Sequence, residues 1–486
     1  MRSFKITIRF IGFALMGVCI MMMISALVAF LSHRDASMYP LLLSAGITFA
    51  CGLTCLLTTK PQHNIGILDG YFIVTGCWLA SGLFGALPFL FYGEVFNVIN
   101  ALFESISGFT TTGASILTEI ESLPKGLLFW RMATSWIGGV GVVSLVSIVI
   151  SSNNDRHSKL AAVELSSLAK EFYQGRRKQF VYRILTVYIG LTILVSIALQ
   201  LVGVTWFDAV THAMSACSTC GFSTKNASIA SFGDLRVELI LIVAMLLAGI
   251  NFSLIFSTFF PNKTNRKNIF NTKIVRVFLG AVAIGIITMS IDLVVSGTYH
   301  SFGKALRVST FQMVSIATTT GFATDDTNLW PGLCKGVIII GSLICGCSGS
   351  TSGGIKIDRV WFALRGTREM LRSLTDPNKY DYVRLDGHAK ASDEISSVIG
   401  FIMLYLMIVG IGMVVFTLGE MDFSTGMSAS IACVGNVGPG FGPIGSMGNY
   451  AGLSTFQKGF SVILMLLGRL EIYPILIVLA NIIRRR

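Results

Sequence analysis

The sequence predicts an all-α integral membrane protein. Four helix–pore helix–helix units surround a central pore, and an N-terminal two-helix hairpin precedes them, for ten spanning helices in all. Three observations carry this. Of 486 residues, 53% are hydrophobic and only 13% charged, with a mean hydropathy of +0.72, whereas soluble domains are about one quarter charged. Apolar runs of roughly 20 residues, the length that crosses a bilayer, recur from end to end. A short Ser/Thr-Gly stretch also returns four times at near-equal intervals of roughly a hundred residues, which marks internal repetition. Its copies are SGFTTTGAS at Ser107–Ser115, STCGFST at Ser218–Thr224, TTTGFAT at Thr318–Thr324 and the looser VGNVGPG at Val434–Gly440.

The hairpin occupies residues 1–62, with runs at Phe10–Leu31 and about Leu41–Thr58 and no glycine loop. Its basic start lacks a small-residue cleavage site after the apolar run, so it reads as a retained helix, not a signal peptide. The first unit, residues 63–155, has the run Ile65–Tyr92, the short segment Val95–Ile106 ending at SGFTTTG, and the run Leu127–Ile150. The second, residues 156–262, repeats the form as Val181–Gly203, Trp206–Ser218 and Leu235–Phe256. The third, residues 263–390, has Ile274–Val295 and Ala305–Thr318. Its second half, Gly336–Ile344, is interrupted by CGCSGSTSGG at Cys345–Gly354. The fourth, residues 391–486, has Ser397–Leu418, Ser424–Cys433 and Phe456–Ile483.

A net charge of +12 raises nucleic acid as a partner, but its distribution excludes that reason for it. Most Lys and Arg lie in Met1–Arg9, Arg156–Arg183, Lys263–Arg276, Arg359–Lys390 and Arg484–Arg486, each bordering an apolar run. Cytoplasmic loops and termini carry such clusters, so both termini are expected in the cytoplasm and the glycine loops on the outer side. Ten cysteines form no disulfide framework. Cys217 and Cys220 have C-x-x-C spacing, but no second pair or His cluster accompanies them, and packing around the loop is the expectation. The six His stand singly, which argues against an enzyme.

The loops fit the chemistry of a cation path. A dehydrated cation needs fixed oxygens and no charged side chain that would trap it, a need that backbone carbonyls meet. Glycine permits the positive φ that turns carbonyls inward, and irregular backbone at membrane depth is tolerated where it lines a watery cavity. The expected cation ligands are the carbonyls of Thr111, Thr112, Thr219, Cys220, Thr319, Thr320, Asn436 and Val437. Neighbouring hydroxyls, among them Thr110, Ser218 and Thr318, can cap the short helices, whose negative C-terminal dipoles favour a cation. A single TTTG would read as an ordinary polar turn; four at matching positions do not.

Cys345–Gly354 is too rich in glycine to hold a helix in lipid, because each glycine costs about 1 kcal/mol against alanine. It lacks the Gly-Lys-Ser/Thr ending of a phosphate loop, having Gly354-Ile355-Lys356. Its Cys345, Gly346, Gly349, Ser350, Gly353 and Gly354 read as a gate under the filter, with a glycine-rich packing kink as the rival reading. Lys356 and Arg469 are basic residues at membrane depth, where charge is a functional hypothesis by default. Lys356 could instead snorkel to the cytoplasmic face, and Arg469 could pair with Glu471. Arg131 and Asn251 read as packing or polar glue.

SGFTTTG, CGFST, TTTGFAT, NVGPG, CSGSTSGGIK and LLGRLEIYP together resemble the Trk/Ktr/HKT superfamily of potassium transporters, most closely its bacterial TrkH/TrkG branch, over the whole chain. The resemblance implies potassium uptake across the bacterial cytoplasmic membrane. It places Gly113, Gly221, Gly321 and Gly438 at the filter glycines, Cys345–Gly354 at the intramembrane gating loop and Arg469 beside it. It further implies a homodimer docking a cytosolic, TrkA-like regulatory subunit, with ATP/ADP or NAD(H) acting only through that partner and no cofactor bound covalently. Cys220 and the pair Asn436-Val437 depart from the usual pattern. The alternatives are a Na+-dependent or H+-coupled cation transporter of the same superfamily, or a secondary transporter of another solute. The last would favour an unpaired acidic residue in mid-helix, and no convincing one is found.

Overall fold

A computed structural model describes residues 2–60, 66–149, 177–260, 268–375, 383–385, 388–390, 392–418 and 421–484. Most of the basic stretch Arg156–Arg183 and part of Lys263–Arg276, Arg359–Lys390 and Arg484–Arg486 lie outside the described residues. The unit boundaries expected at 62/63, 155/156, 262/263 and 390/391 all fall at or among such residues.

The chain is mostly helical. Helices α1 (Arg2–Leu31) and α2 (Met38–Leu57) form the hairpin. They approach closely at Gly12 and Gly52, where a Cβ on Gly52 would sit 3.3 Å from the Gly12 carbonyl oxygen, as small residues allow between membrane helices. Asp35 in the turn accepts the Gly126 N–H at 2.9 Å and so ties the hairpin to the first unit. The stretch expected to form that unit contains α3 (Ile67–Gly85), α4 (Leu87–Tyr92), α5 (Val98–Phe109) and α6 (Lys125–Val149). The second contains α7 (Arg177–Leu201), α8 (Trp206–Ser218), α9 (Leu235–Ala248) and α10 (Phe252–Phe259). The third contains α11 (Lys273–Val295), α12 (Phe302–Ala317), α13 (Gly332–Leu343) and α14 (Ile357–Thr375). The fourth contains α15 (Ser392–Thr417), α16 (Phe423–Gly435), α17 (Thr455–Arg469) and α18 (Tyr473–Arg484).

Among the described residues, six helices are long and apolar enough to cross a membrane, or eight if each of two bent pairs counts as one span. Those bends differ from the continuous runs expected at Leu235–Phe256 and Phe456–Ile483. α9 and α10 meet at 104°, and α17 and α18 at 107°. At the first bend the Asn251 side chain accepts the Ser253 and Leu254 N–H groups, capping a new helix instead of continuing the old one. At the second, Glu471 and Ile472 take left-handed φ values of 54° and 62°, which an α-helix cannot contain.

Polarity is inverted relative to a soluble domain. Ile20, Ile284 and Met403 are among many large apolar side chains exposed on the helices' outer faces, while most of the Ser, Thr and Asn of the glycine loops are buried. One apolar core forms mainly within the second and third units. The other joins the hairpin to the first and fourth units. The short helices α8 and α12 pack mainly into the first of these cores, and α5 and α16 into the second.

Candidate functional site

Each of those four helices ends in the same way. The N–H of the residue before the loop glycine returns to a helix carbonyl five residues back. These bonds are Thr112 to Ser107, Cys220 to Ser215, Thr320 to Ser315 and Val437 to Ala432, at 2.8, 3.0, 2.8 and 3.0 Å. That is the 6→1 bond of a Schellman turn, whose preceding residue is left-handed and usually glycine. Here Thr111, Thr219, Thr319 and Asn436 hold it, at φ 51°, 56°, 57° and 53°. A β-branched residue in this conformation is a backbone strain of order 1–3 kcal/mol, the kind that concentrates at functional sites.

The glycines come next, again at positive φ: 78° at Gly113, 83° at Gly221, 81° at Gly321 and 96° at Gly438. Space forbids a side chain as firmly as φ does. A Cβ on Gly113 would overlap the carbonyl oxygen of Cys220, and one on Gly221 that of Thr320. Gly321 abuts the Val437 carbonyl and Gly438 the Thr112 carbonyl. The four loops therefore meet in cyclic order, first to second to third to fourth and back to the first, with four carbonyl oxygens in a closed ring. The C-terminal ends of the four helices, negative by dipole, lead directly into it.

Hydroxyls hold this backbone. Thr110 and Thr318 cap their helices through the carbonyls of Ile106 and Val314 at 2.6 and 2.8 Å. Ser107 and Ser315 reach the carbonyls of Ala114 and Phe322 at 2.6 and 2.7 Å, beyond each glycine. The second loop departs from this, because the Ser215 hydroxyl finds no partner and Cys220, buried and free, replaces threonine. In the fourth, the Asn436 amide donates to the Thr112 hydroxyl and the Met465 carbonyl, both at 3.0 Å, binding this loop to the first and to α17.

Cys345–Gly354 lies against the same loops. Its ends pair as short parallel strands, Ile344–Cys345 with Ile355–Lys356, so the intervening residues form a closed bulge between α13 and α14. Gly349 and Gly354 are left-handed, and the Ser350 hydroxyl shares a 2.7 Å bond with that of Ser352. The Gly353 N–H donates to the Thr319 hydroxyl at 2.8 Å, and Gly353 abuts the Gly435 carbonyl and the Asn436 side chain. The Thr351 hydroxyl donates to the Cys217 carbonyl at 3.1 Å, and Gly346 packs on the Gly249 carbonyl. The bulge thus touches the second, third and fourth units at once.

Arg469, 5% exposed, donates through Nη1 to the Thr351 carbonyl at 2.8 Å, while its Nε and Nη2 find no partner. Glu471 pairs with Arg359 at 2.5 Å, not with Arg469. Lys356 is buried and donates to the Ser352 carbonyl, so it does not snorkel to a surface. Asn251 does more than fill space: its Nδ2 donates to the Ser348 carbonyl at 2.8 Å, fixing the α9–α10 bend to the bulge. Arg131, too, has a specific partner, the Glu104 carboxylate, at 2.5 Å. Sequence reasoning named neither Glu104 nor the bend.

The family model described as "TrkH: Cation transport protein" matches residues 43–484. The Trk system potassium uptake protein TrkH of Vibrio parahaemolyticus is 31% identical over 481 residues, 98% of each chain. The Trk system potassium uptake protein TrkG of Escherichia coli K12 is 31% identical over 463 residues, 94% of each. The crystal structure of the potassium transporter TrkH from Vibrio parahaemolyticus superposes with a TM-score of 0.88 at 30% identity, covering 98% of both chains.

Proposed function

Since this chain belongs to the TrkH family of cation transport proteins, we propose that it takes up K+ across the bacterial cytoplasmic membrane through the ring of loop carbonyls. The observation that carries this reading is the ring's closure: Gly113, Gly221, Gly321 and Gly438 each border the carbonyl of the next loop, the fourth bordering the first. The carbonyls of Thr111, Thr112, Thr219, Cys220, Thr319, Thr320, Asn436 and Val437 replace the water around K+, and the negative helix ends favour its charge. Four pseudo-repeated units and ten spanning helices, with both termini cytoplasmic, complete the reading. The family is one of cation transporters, which is not an enzyme class.

Cys345–Gly354 and Arg469 act as the gate. Their bonds to Thr319, Cys217 and each other favour the occluding position. The two neutral bonds contribute on the order of 1 kcal/mol net each and the one from the Arg469 guanidinium about 1.5–3 kcal/mol, a sum that binding of a partner can overcome. That partner is a TrkA-like cytosolic subunit docking on the basic loops of a homodimer and sensing ATP/ADP or NAD(H) on the chain's behalf. K+ uptake into proteoliposomes, with and without imposed Na+ or H+ gradients, tests the reading. Uptake driven by a K+ gradient alone supports it. Uptake that needs a Na+ or H+ gradient makes the protein a coupled carrier, and absence of K+ flux refutes it.

A further inference from the structure

We infer that the buried Glu104–Arg131 pair is a brace that positions the first and second loops and thereby sets ion discrimination; this rests on reading those loops as the filter. Glu104 stands on α5 and Arg131 on α6, and the two are 0% and 1% exposed. Their bonds run to residues just beyond the loop glycines. Glu104 accepts the Ile116 N–H at 3.1 Å and the Ser115 hydroxyl at 3.0 Å, just beyond Gly113. Arg131 Nη1 donates to the Ser223 carbonyl at 2.9 Å, just beyond Gly221. The guanidinium also lies 3.7 Å from the centre of the Phe222 ring, within the range of an attractive cation–π contact. One ion pair thus grips the strands leaving two adjacent loops.

Stability is a poor explanation for it. Burying two charges is costly, and well-packed apolar residues commonly serve a core as well or better. What apolar residues cannot supply is a directed bond to the backbone on each side. Aligning the units on their glycines shows how selectively the device is used. The position of Glu104 is taken by His212, Gln312 and Ala429 in the other three. His212 Nε2 shares a 2.9 Å bond with the Ser223 hydroxyl, repeating the Glu104–Ser115 contact one loop on. The Gln312 Oε1 has no partner, and Ala429 has nothing to offer one. Charge braces the seam between the first and second loops, and an imidazole reinforces the second. Without the pair, both strands gain freedom, and their carbonyls can close on a cation smaller than K+.

The test compares K+ and Na+ uptake by the full chain in proteoliposomes, with thermal unfolding of each variant to report folding. Gly113→Ser tests the filter reading itself. Glu104→Gln and the double variant Glu104→Gln/Arg131→Met test the brace. Arg307→Gln, which breaks the Glu238–Arg307 pair at the start of α12 (2.8 Å), serves as an ion-pair control that should keep the wild-type ratio. The expected result is a fall of about tenfold in the K+/Na+ ratio for both brace variants, the factor carried by about 1.4 kcal/mol of lost positioning. If Gly113→Ser lowers the ratio while both brace variants keep it, the brace is overturned and the filter stands. If Gly113→Ser keeps it, both are overturned. Should the Glu104 variants fail to fold, Ser115→Ala removes one brace bond without stranding a charge. It must lower the ratio measurably, and an unchanged ratio overturns the inference.

Discussion

Replacing Arg469 by alanine removes the Nη1 bond to the Thr351 carbonyl at 2.8 Å and a buried positive charge from beside Cys345–Gly354. A hydrogen bond from a charged donor is worth about 1.5–3 kcal/mol net. If that bond exists only while the bulge occludes the path, its loss shifts the closed-to-open equilibrium by about tenfold to 150-fold toward open. Removing the charge acts in the same direction, because a fixed cation opposes an approaching one most strongly where water is scarce. K+ flux through the isolated protein should therefore rise at least about tenfold. The K+/Na+ ratio should stay close to wild type, because the carbonyls next to Gly113, Gly221, Gly321 and Gly438 are untouched. The assay is initial K+ flux into proteoliposomes at matched protein density, with unfolding temperature confirming the fold. Wild-type flux in a folded Arg469→Ala protein would refute the reasoning and leave Cys345–Gly354 as a packing kink.

Gly113→Ser and Gly221→Ser should each lower the K+/Na+ uptake ratio, because a side chain meets a carbonyl of the neighbouring loop as well as an unfavourable φ; equal ratios in reconstituted mutants count against the filter. Asn251→Leu strips the α9–α10 bend of its cap and the Ser348 carbonyl of its donor. Unregulated K+ flux should increase several-fold, the effect of losing about 1 kcal/mol of loop anchorage, and unaltered flux would show that the bend does not anchor the bulge. Neither ATP nor NADH should alter flux through the isolated chain, which carries no phosphate-loop or dinucleotide motif; a response with nothing else present would remove the need for a regulatory subunit.

How far the site could be read in advance depended on the kind of signal each part leaves. The loops were legible because glycine and threonine recur in one pattern, and the glycine-rich interruption because no helix tolerates it. The bends were not, because Ile250 and Ile472 keep the local hydropathy high while Asn251 and Glu471 redirect the backbone. Hydropathy reports burial in lipid and is blind to direction. Glu104 and Arg131 are 27 residues apart on different helices, so no local pattern couples them, and Arg131 alone reads as polar filling. Aligning all four units nine residues before their glycines would have exposed Glu104, His212 and Gln312 as a buried polar series. The cyclic order of the loops needed three dimensions, since nothing local says that Gly438 returns to Thr112.

That return has a consequence for how the protein is made. The bond from Asn436 to Thr112 joins residues 324 positions apart, whereas the other seams join consecutive units. Chains emerge N-terminal end first, so three corners can be inserted and paired while the fourth is still being translated. A chain stopped before α16 has no fourth corner and no Asn436 for Thr112 to meet. The last unit is thus a keystone: the closed ring of loops comes into being only with the final hundred or so residues, by which point the bulge and Lys356 are already in the membrane, while Arg469 arrives with the keystone itself. Losing α16 to α18 would leave the ring of loops open, even with most of the helices already inserted.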